Sequence, residues 1–276
     1  LPDTVLNAGS NQVLTAVFIP NDPFTYTFAT NTVLLTVLPA PLTITADNKN
    51  VMVGSAIPTL TASYSGFVNS ESPSNLTAQV VLSTTATNGS LPGTYPITAS
   101  GAASPNYTIT HVNGTLTINP LIIPTVTWSQ PAAIVYGTPL TAVQLSATSS
   151  VPGSFVYTPL MGTILTAGTN QLKAVFTPLD TGNYATTTNV VSLMVQKAPL
   201  TITADDKSVM VGSAIPTLTA SYSGFVNSES PSNLTAQVIL TTTATNGSPA
   251  GAYPITASGA ASPNYAITHV NGTLTI

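Results

Sequence analysis

Apolar and small polar residues alternate along most of the chain with a period of two. TLTASY, TYPITA, QLKAVF and VSLMV each send every second side chain to one face, the pattern of a half-buried strand. No window carries an apolar period of 3.6 residues, and Gly, Pro or Asn-Gly punctuates the pattern about every 8–12 residues. The pattern predicts an all-β chain. It is clearest in NYTITHVNGTLTI, where Asn113-Gly114 suits a two-residue type I′ turn that opposes Val112 to Thr115 and His111 to Leu116. Such a hairpin puts Tyr107, Ile109, His111, Leu116 and Ile118 on a core face and Thr108, Thr110, Thr115 and Thr117 on a solvated one, as in a β-sandwich.

The pattern repeats. Ser63–Val80 recurs letter for letter at Ser221–Val238, and a shift of 158 residues aligns Pro41–Ile118 with Pro199–Ile276 at 70 identical positions of 78. These segments, 41–118 and 199–276, are two copies of a B-type module. Between them lies an A-type module, 125–197, and residues 1–38 copy only its latter half. Room for about seven short strands in each B copy gives the size of an immunoglobulin-like sandwich. The joints are short and carry proline, as in Asn119-Pro120, Ala198-Pro199 and Leu38-Pro39-Ala40-Pro41, so φ is fixed where modules meet. The sequence thus predicts tandem immunoglobulin-like sandwiches arranged as an elongated rod.

Composition narrows the chemistry. Lys and Arg together number 4 and Asp and Glu 8, so 4% of the residues are charged, against about 25% in ordinary domains. Thr supplies 48 positions, and hydroxyls and amides rather than ions carry the polar surface. No basic stripe exists to neutralise phosphates, which excludes a nucleic-acid surface. The chain has no cysteine, hence no disulfide, thiol nucleophile or Cys-based metal site. No run approaches 18 apolar residues, so no membrane span is expected. The first residue is Leu1, and the chain is read as a mature piece or an excised fragment.

Two sets of motifs carry a resemblance. Through PLTITADNKNVMVGSAIPTLTASYSGF and GTYPITASGAASPNYTITHVNGTLTI, the B module resembles the MBG-type Ig-like repeats of bacterial surface and secreted proteins. Members of that family often have Tyr-Gly where this chain has Val53-Gly54 and Val211-Gly212. Through WSQPAAIVYGTPL, VPGSFVYTP, AGTNQLKAVFTP and NYATTTNVVSLMV, module A resembles a companion class of bacterial Ig-like repeats. The resemblance implies tandem repeats of a large extracellular or cell-surface protein, bacterial in origin, and it carries no catalytic or binding residues across.

The residues offer little for catalysis. No GxSxG elbow, phosphate-binding Gly loop or HExxH is present, and no serine has a base beside it, so no enzyme, catalytic residue or cofactor is expected. His111 and His269 occupy equivalent positions with no second His or Cys in either module, and read as packed or rim histidines with a local hydrogen bond. Asp47, and Asp205 with Asp206, lie in TADNKN and TADDKS and read as turn formers, with a weak Ca²⁺ contact there as the alternative. Glu71 and Glu229 each stand alone in an NSES loop, without the second carboxylate that acid–base chemistry needs. Lys173, the candidate for an isopeptide crosslink in module A, is turned away from the Leu172/Ala174/Phe176 face by the alternation of QLKAVF. Tyr107, Tyr184 and Tyr265 each follow a turn and resemble a tyrosine corner, whose hydroxyl ties a crossover to the backbone. Trp128, the only tryptophan, is expected in the inter-sheet core, with a carbohydrate platform as the alternative. Asn75, Asn88, Asn106, Asn113, Asn233, Asn246 and Asn271 match the N-glycosylation acceptor pattern.

Three functions follow as expectations. The first is a structural stalk or fibre segment that spaces a distal element, with further repeats of the same parent chain as its partners. The second is an adhesin whose loops at Gly66–Gln79 and Gly224–Gln237, with exposed Phe67 and Phe225, bind glycan or a surface by avidity. The third is a filament subunit in which like chains donate strands to the incomplete opening module. Left to itself, that opening segment is expected to be disordered over residues 1–38, because half a sandwich has too little core.

Overall fold

The computed structural model describes residues 4–276. Its described residues contain β-strands, two single-turn 3₁₀ segments at Pro73–Asn75 and Pro231–Asn233, and no α-helix. Among the described residues no helix is long and apolar enough to cross a membrane. The chain divides into two compact units, Leu1–Ile122 and Ile123–Ile276.

The first unit opens with β1 (Gly9–Phe18) and β2 (Ala29–Val37), paired antiparallel as a two-stranded sheet. Its B module follows with β3 (Ala40–Ala46), β4 (Lys49–Met52), β5 (Ala62–Ser65), β6 (Val81–Thr84), β7 (Gly93–Ser100), β8 (Tyr107–Val112) and β9 (Gly114–Asn119). One sheet has the order β5-β3-β8, the other β4-β9-β7-β6, and both β3–β8 and β4–β9 are parallel pairs. Inward side chains of the two sheets meet: Ala46 on β3 joins Ile97, Ala99, Leu116 and Ile118 in one buried cluster.

The second unit begins with module A, whose strands are β10 (Val126–Thr127), β11 (Ile134–Val135), β12 (Thr148–Ser149), β13 (Gly153–Thr158), β14 (Gly168–Pro178) and β15 (Thr187–Gln196). They form a four-stranded sheet, β11-β15-β14-β13, and a short β10-β12 pair. The second B module repeats the first with β16 (Ala198–Ala204), β17 (Lys207–Ser208), β18 (Ala220–Ser223), β19 (Ile239–Thr242), β20 (Ala252–Ser258), β21 (Tyr265–Val270) and β22 (Gly272–Thr275), in sheets β18-β16-β21 and β17-β22-β20-β19.

The expected Asn113-Gly114 hairpin does not form. β8 lies beside β3 in one sheet and β9 beside β7 and β4 in the other, so the chain crosses between sheets at Asn113. A type I′ turn needs positive φ at both central residues, and neither Asn113 nor Gly114 has it. Gly114 is required for another reason: a Cβ there would come within 2.3 Å of the Ala46 carbonyl oxygen. The alternation itself holds. Tyr107, Leu116 and Ile118 are buried, Ile109 and His111 half-buried, and Thr108 and Thr110 exposed, but the inward side chains line two walls of the core instead of one.

The expectation of a disordered opening segment is also corrected. β1 and β2 are hydrogen-bonded in register from Gln12↔Leu35 to Phe18↔Ala29, because two long alternating strands pair the N–H and C=O groups that face each other, while those on the outer edges point away from the ladder. The first three residues of the expected 1–38 segment lie outside the described residues.

Candidate functional site

The chain's only two glutamates occupy equivalent positions in the B modules, and each binds tyrosine. In the first unit the Tyr107 hydroxyl donates to Oε2 of Glu71 at 2.6 Å and accepts the Val68 N–H at 3.1 Å. In the second, the Tyr265 hydroxyl donates to Oε2 of Glu229 at 2.5 Å and accepts the Val226 N–H at 3.1 Å. There Glu229 takes a second phenol: the Tyr136 hydroxyl, from module A, donates to Oε1 at 2.6 Å. The Tyr136 and Tyr265 rings meet edge to face with centroids 5.6 Å apart. Burial pushes the Tyr265 phenol up to about 12, with the bond to Glu229 adding to the shift. Tyr136 is raised first by its bond to Glu229 and then by burial, whereas Tyr107 is raised first by burial and then by Glu71.

Backbone geometry delivers Tyr136 to this position. β11 lies parallel to β15, and the Tyr136 N–H donates to the Gln196 carbonyl at 2.8 Å. Gly137 follows with φ of +97° and sits against Val226, where a Cβ would come within 2.7 Å of a methyl group. On the other side of the joint, Oδ1 of Asn264 accepts the Ala167 N–H at 3.0 Å. Only Lys197 separates β15 from β16. One buried cluster therefore runs from Trp128, Tyr136, Leu172 and Leu193 of module A into Leu200, Ile202, Leu234 and Tyr265 of module B.

The singled-out residues fall as follows. Tyr107 and Tyr265 tie loops to the backbone as expected of a corner, but to a segment 39 residues upstream and with a carboxylate added. Tyr184 is half-buried ahead of β15, and in module A a different tyrosine, Tyr157, has the hydroxyl that accepts a backbone N–H, that of Ala147 at 3.0 Å. Trp128 is buried, donates Nε1–H to the Gln144 carbonyl at 3.0 Å and meets Tyr157 edge to face, which leaves no open face for a sugar. Lys173 is exposed on β14. His111 and His269 point into the modules, and contrary to expectation their buried Nε2 atoms have no hydrogen-bond partner.

The aspartates act as fasteners. Asp47 accepts from Thr61 Oγ1 and Ser63 Oγ, both at 2.5 Å, and Asp205 from Thr219 and Ser221 at 2.5 and 2.6 Å. The serine hydroxyl, then the threonine hydroxyl, holds each carboxyl below the usual range. Asp206 accepts the Thr273 N–H at 2.6 Å, as Asn48 does for Thr115 at 2.7 Å. Among the described residues no group of three or more His, Cys, Asp or Glu side chains is placed to hold a metal. Several acceptor-pattern asparagines are fasteners too: Asn113 accepts the Ala99 N–H, and Asn88 the Ile57 N–H.

Phe67 and Phe225 are corrected. They are half-buried and pack edge to face on Tyr107 and Tyr265, each at 5.4 Å between ring centres, because a phenyl ring next to a buried tyrosine gains more from that contact than from water. The loop expected to offer an aromatic to a ligand uses it to brace its own tyrosine.

The family model for the MBG domain (YGX type) matches residues 42–117 and 200–275. The chain belongs to the MBG domain family. Domains of this family are typically extracellular repeats of large surface proteins. A search of curated proteins found no match. At the end of β4 the first MBG module has Val53-Gly54, with the Val53 N–H on the Asn119 carbonyl at 2.8 Å and Gly54 at φ +82°. Tyr136-Gly137 fills the corresponding position of module A. The joint residues were hidden from the sequence because Tyr136 and Glu229 are 93 positions apart. Their one signal was that a chain so poor in charge places its only glutamates at the same point of each repeat.

Proposed function

We propose that the chain is a structural spacer, a stretch of an extracellular bacterial stalk or fibre whose output is length. The observation that supports this reading is the shared core of module A and the MBG module after it, closed over a one-residue connector by the Tyr136–Glu229–Tyr265 cluster. A joint whose side chains are buried on both sides resists bending, and a spacer made of such joints keeps its reach where a Gly/Ser leash would coil. The fasteners serve the same end, since Asp47, Asp205, Asp206, Asn48, Asn88 and Asn113 tie their loops to neighbouring hydroxyls and backbone N–H groups. Small-angle scattering on the full chain tests the reading: the maximum dimension should approach the summed lengths of the modules, and a compact globule would overturn it.

A further inference from the structure

Among the described residues, the first unit repeats the joint of the second without a counterpart of Tyr136. Val68, Asn69, Glu71, Asn106 and Tyr107 stand where Val226, Asn227, Glu229, Asn264 and Tyr265 surround Tyr136. Oε2 of Glu71 is taken by Tyr107, as Oε2 of Glu229 is by Tyr265, but no phenol lies on the other oxygen. In its place is a cavity of about 130 Å³ between this cluster and Leu6, Val37 and Leu38. That is close to the roughly 150 Å³ void known to admit a benzene ring. Asn7 closes one side, its Oδ1 accepting from Nδ2 of Asn106 at 3.1 Å.

The sheet beside the cavity is equally incomplete. β1 and β2 correspond to β14 and β15, with one extra residue absorbed as a bulge next to Asn11 at φ +59°. Leu14, Phe18 and Leu35 then match Leu172, Phe176 and Leu193. The first three are 42%, 66% and 40% exposed, the last three at most 1%. What covers that face in module A is its own front half, residues 125–167, with Trp128, Tyr136, Leu140 and Leu145 buried upon it. β11 occupies one edge of β15, and on the corresponding edge of β2 no strand pairs among the described residues, where β2 is bonded to β1 alone.

We propose that the β1–β2 sheet and the Glu71–Tyr107 cavity form a receptor for an A-type front segment with the Ile-Val-Tyr-Gly pattern of residues 134–137. The segment adds as a parallel strand along β2, its tyrosine enters the cavity edge-on to Tyr107 and donates to the open oxygen of Glu71, and its apolar side chains cover Leu14, Phe18 and Leu35. This proposal stands apart from the spacer reading, because scattering tests one and segment binding the other.

The test uses the full chain and a synthetic peptide of residues 125–167, titrated together and followed by hydrogen exchange and a binding isotherm. We expect saturable one-to-one binding, new protection along β2, and affinity at least tenfold lower for the Tyr136→Ala peptide and several-fold lower for Tyr136→Phe. Glu71→Gln in the chain should weaken the wild-type peptide while leaving its difference from the Phe peptide smaller. Absence of protection on β1–β2 at hundredfold excess, equal binding of the Ala peptide, or protection confined to β14–β15 would each overturn the proposal. So would protection of β1–β2 that rises with chain concentration when no peptide is present, which would make a second copy of the chain the occupant.

Discussion

The hydroxyl of Tyr136 lies 2.6 Å from Oε1 of Glu229, and this contact joins the A-type module to the MBG module that follows it. Because Tyr265 holds the other carboxylate oxygen at 2.5 Å, one side chain anchors both sides of the joint. Glu71, with one phenol, is the natural control.

Removal of the Glu229 carboxylate should therefore cost more than removal of Glu71. Glu229→Ala leaves two buried hydroxyls without their acceptor, a loss of about 2–4 kcal/mol, since bonds to charged groups contribute about 1.5–3 kcal/mol each and are not additive. Glu71→Ala, which loses one such bond, should cost less than Glu229→Ala and about 1.5–3 kcal/mol on the same grounds. Urea titration followed by Trp128 fluorescence, which reports module A from its buried site, would show the Glu229 change and be insensitive to the Glu71 change.

Alkaline pH should open the same joint. The Tyr265 phenol is raised to about 12, so the folded chain retains a proton that the unfolded chain releases near pH 10. Its contribution is complete below pH 10 and is lost as pH rises from about 10 to about 12, with a size on the order of 2 kcal/mol. Denaturation midpoints across that window should fall more steeply for the native chain than for Tyr265→Phe.

Acid should act on the other fasteners. Asp47 and Asp205 are held below the usual carboxylate range by paired hydroxyls, so their contribution is complete above about pH 4 and is lost as pH falls through the depressed values. Melting temperatures of the native chain should drop below pH 4, and the double variant Asp47→Asn, Asp205→Asn should show a shallower drop.

The crossover between sheets gives a steric prediction. A Cβ at Gly272 would lie 2.3 Å from the Ala204 carbonyl oxygen, so Gly272→Ala forces backbone apart and should cost about 2 kcal/mol or more. Gly247, with nothing within 4 Å of a Cβ, should accept Ala with a change near zero. Thermal unfolding of the two variants separates close approach from mere chain flexibility.

Alternation and repetition were enough to determine that the chain is all-β, that it carries two copies of one module, and which side chains of Tyr107–Ile118 point inward. Those properties are local, since a period of two puts alternate residues on opposite faces whatever lies beside the strand. The same letters misplaced the neighbours. Asn113-Gly114 fits a hairpin, but β8 pairs with β3, 67 residues earlier along the chain, because burying both faces of the module satisfies more backbone and apolar surface than a local turn does. Phe67 has the composition of an exposed loop residue and is half-buried because Tyr107 comes to it. Tyr136 and Glu229 carry no mutual signal at all. Which strands adjoin, and which loop meets the next module, depends on contacts between distant segments, and only the tertiary structure decides those.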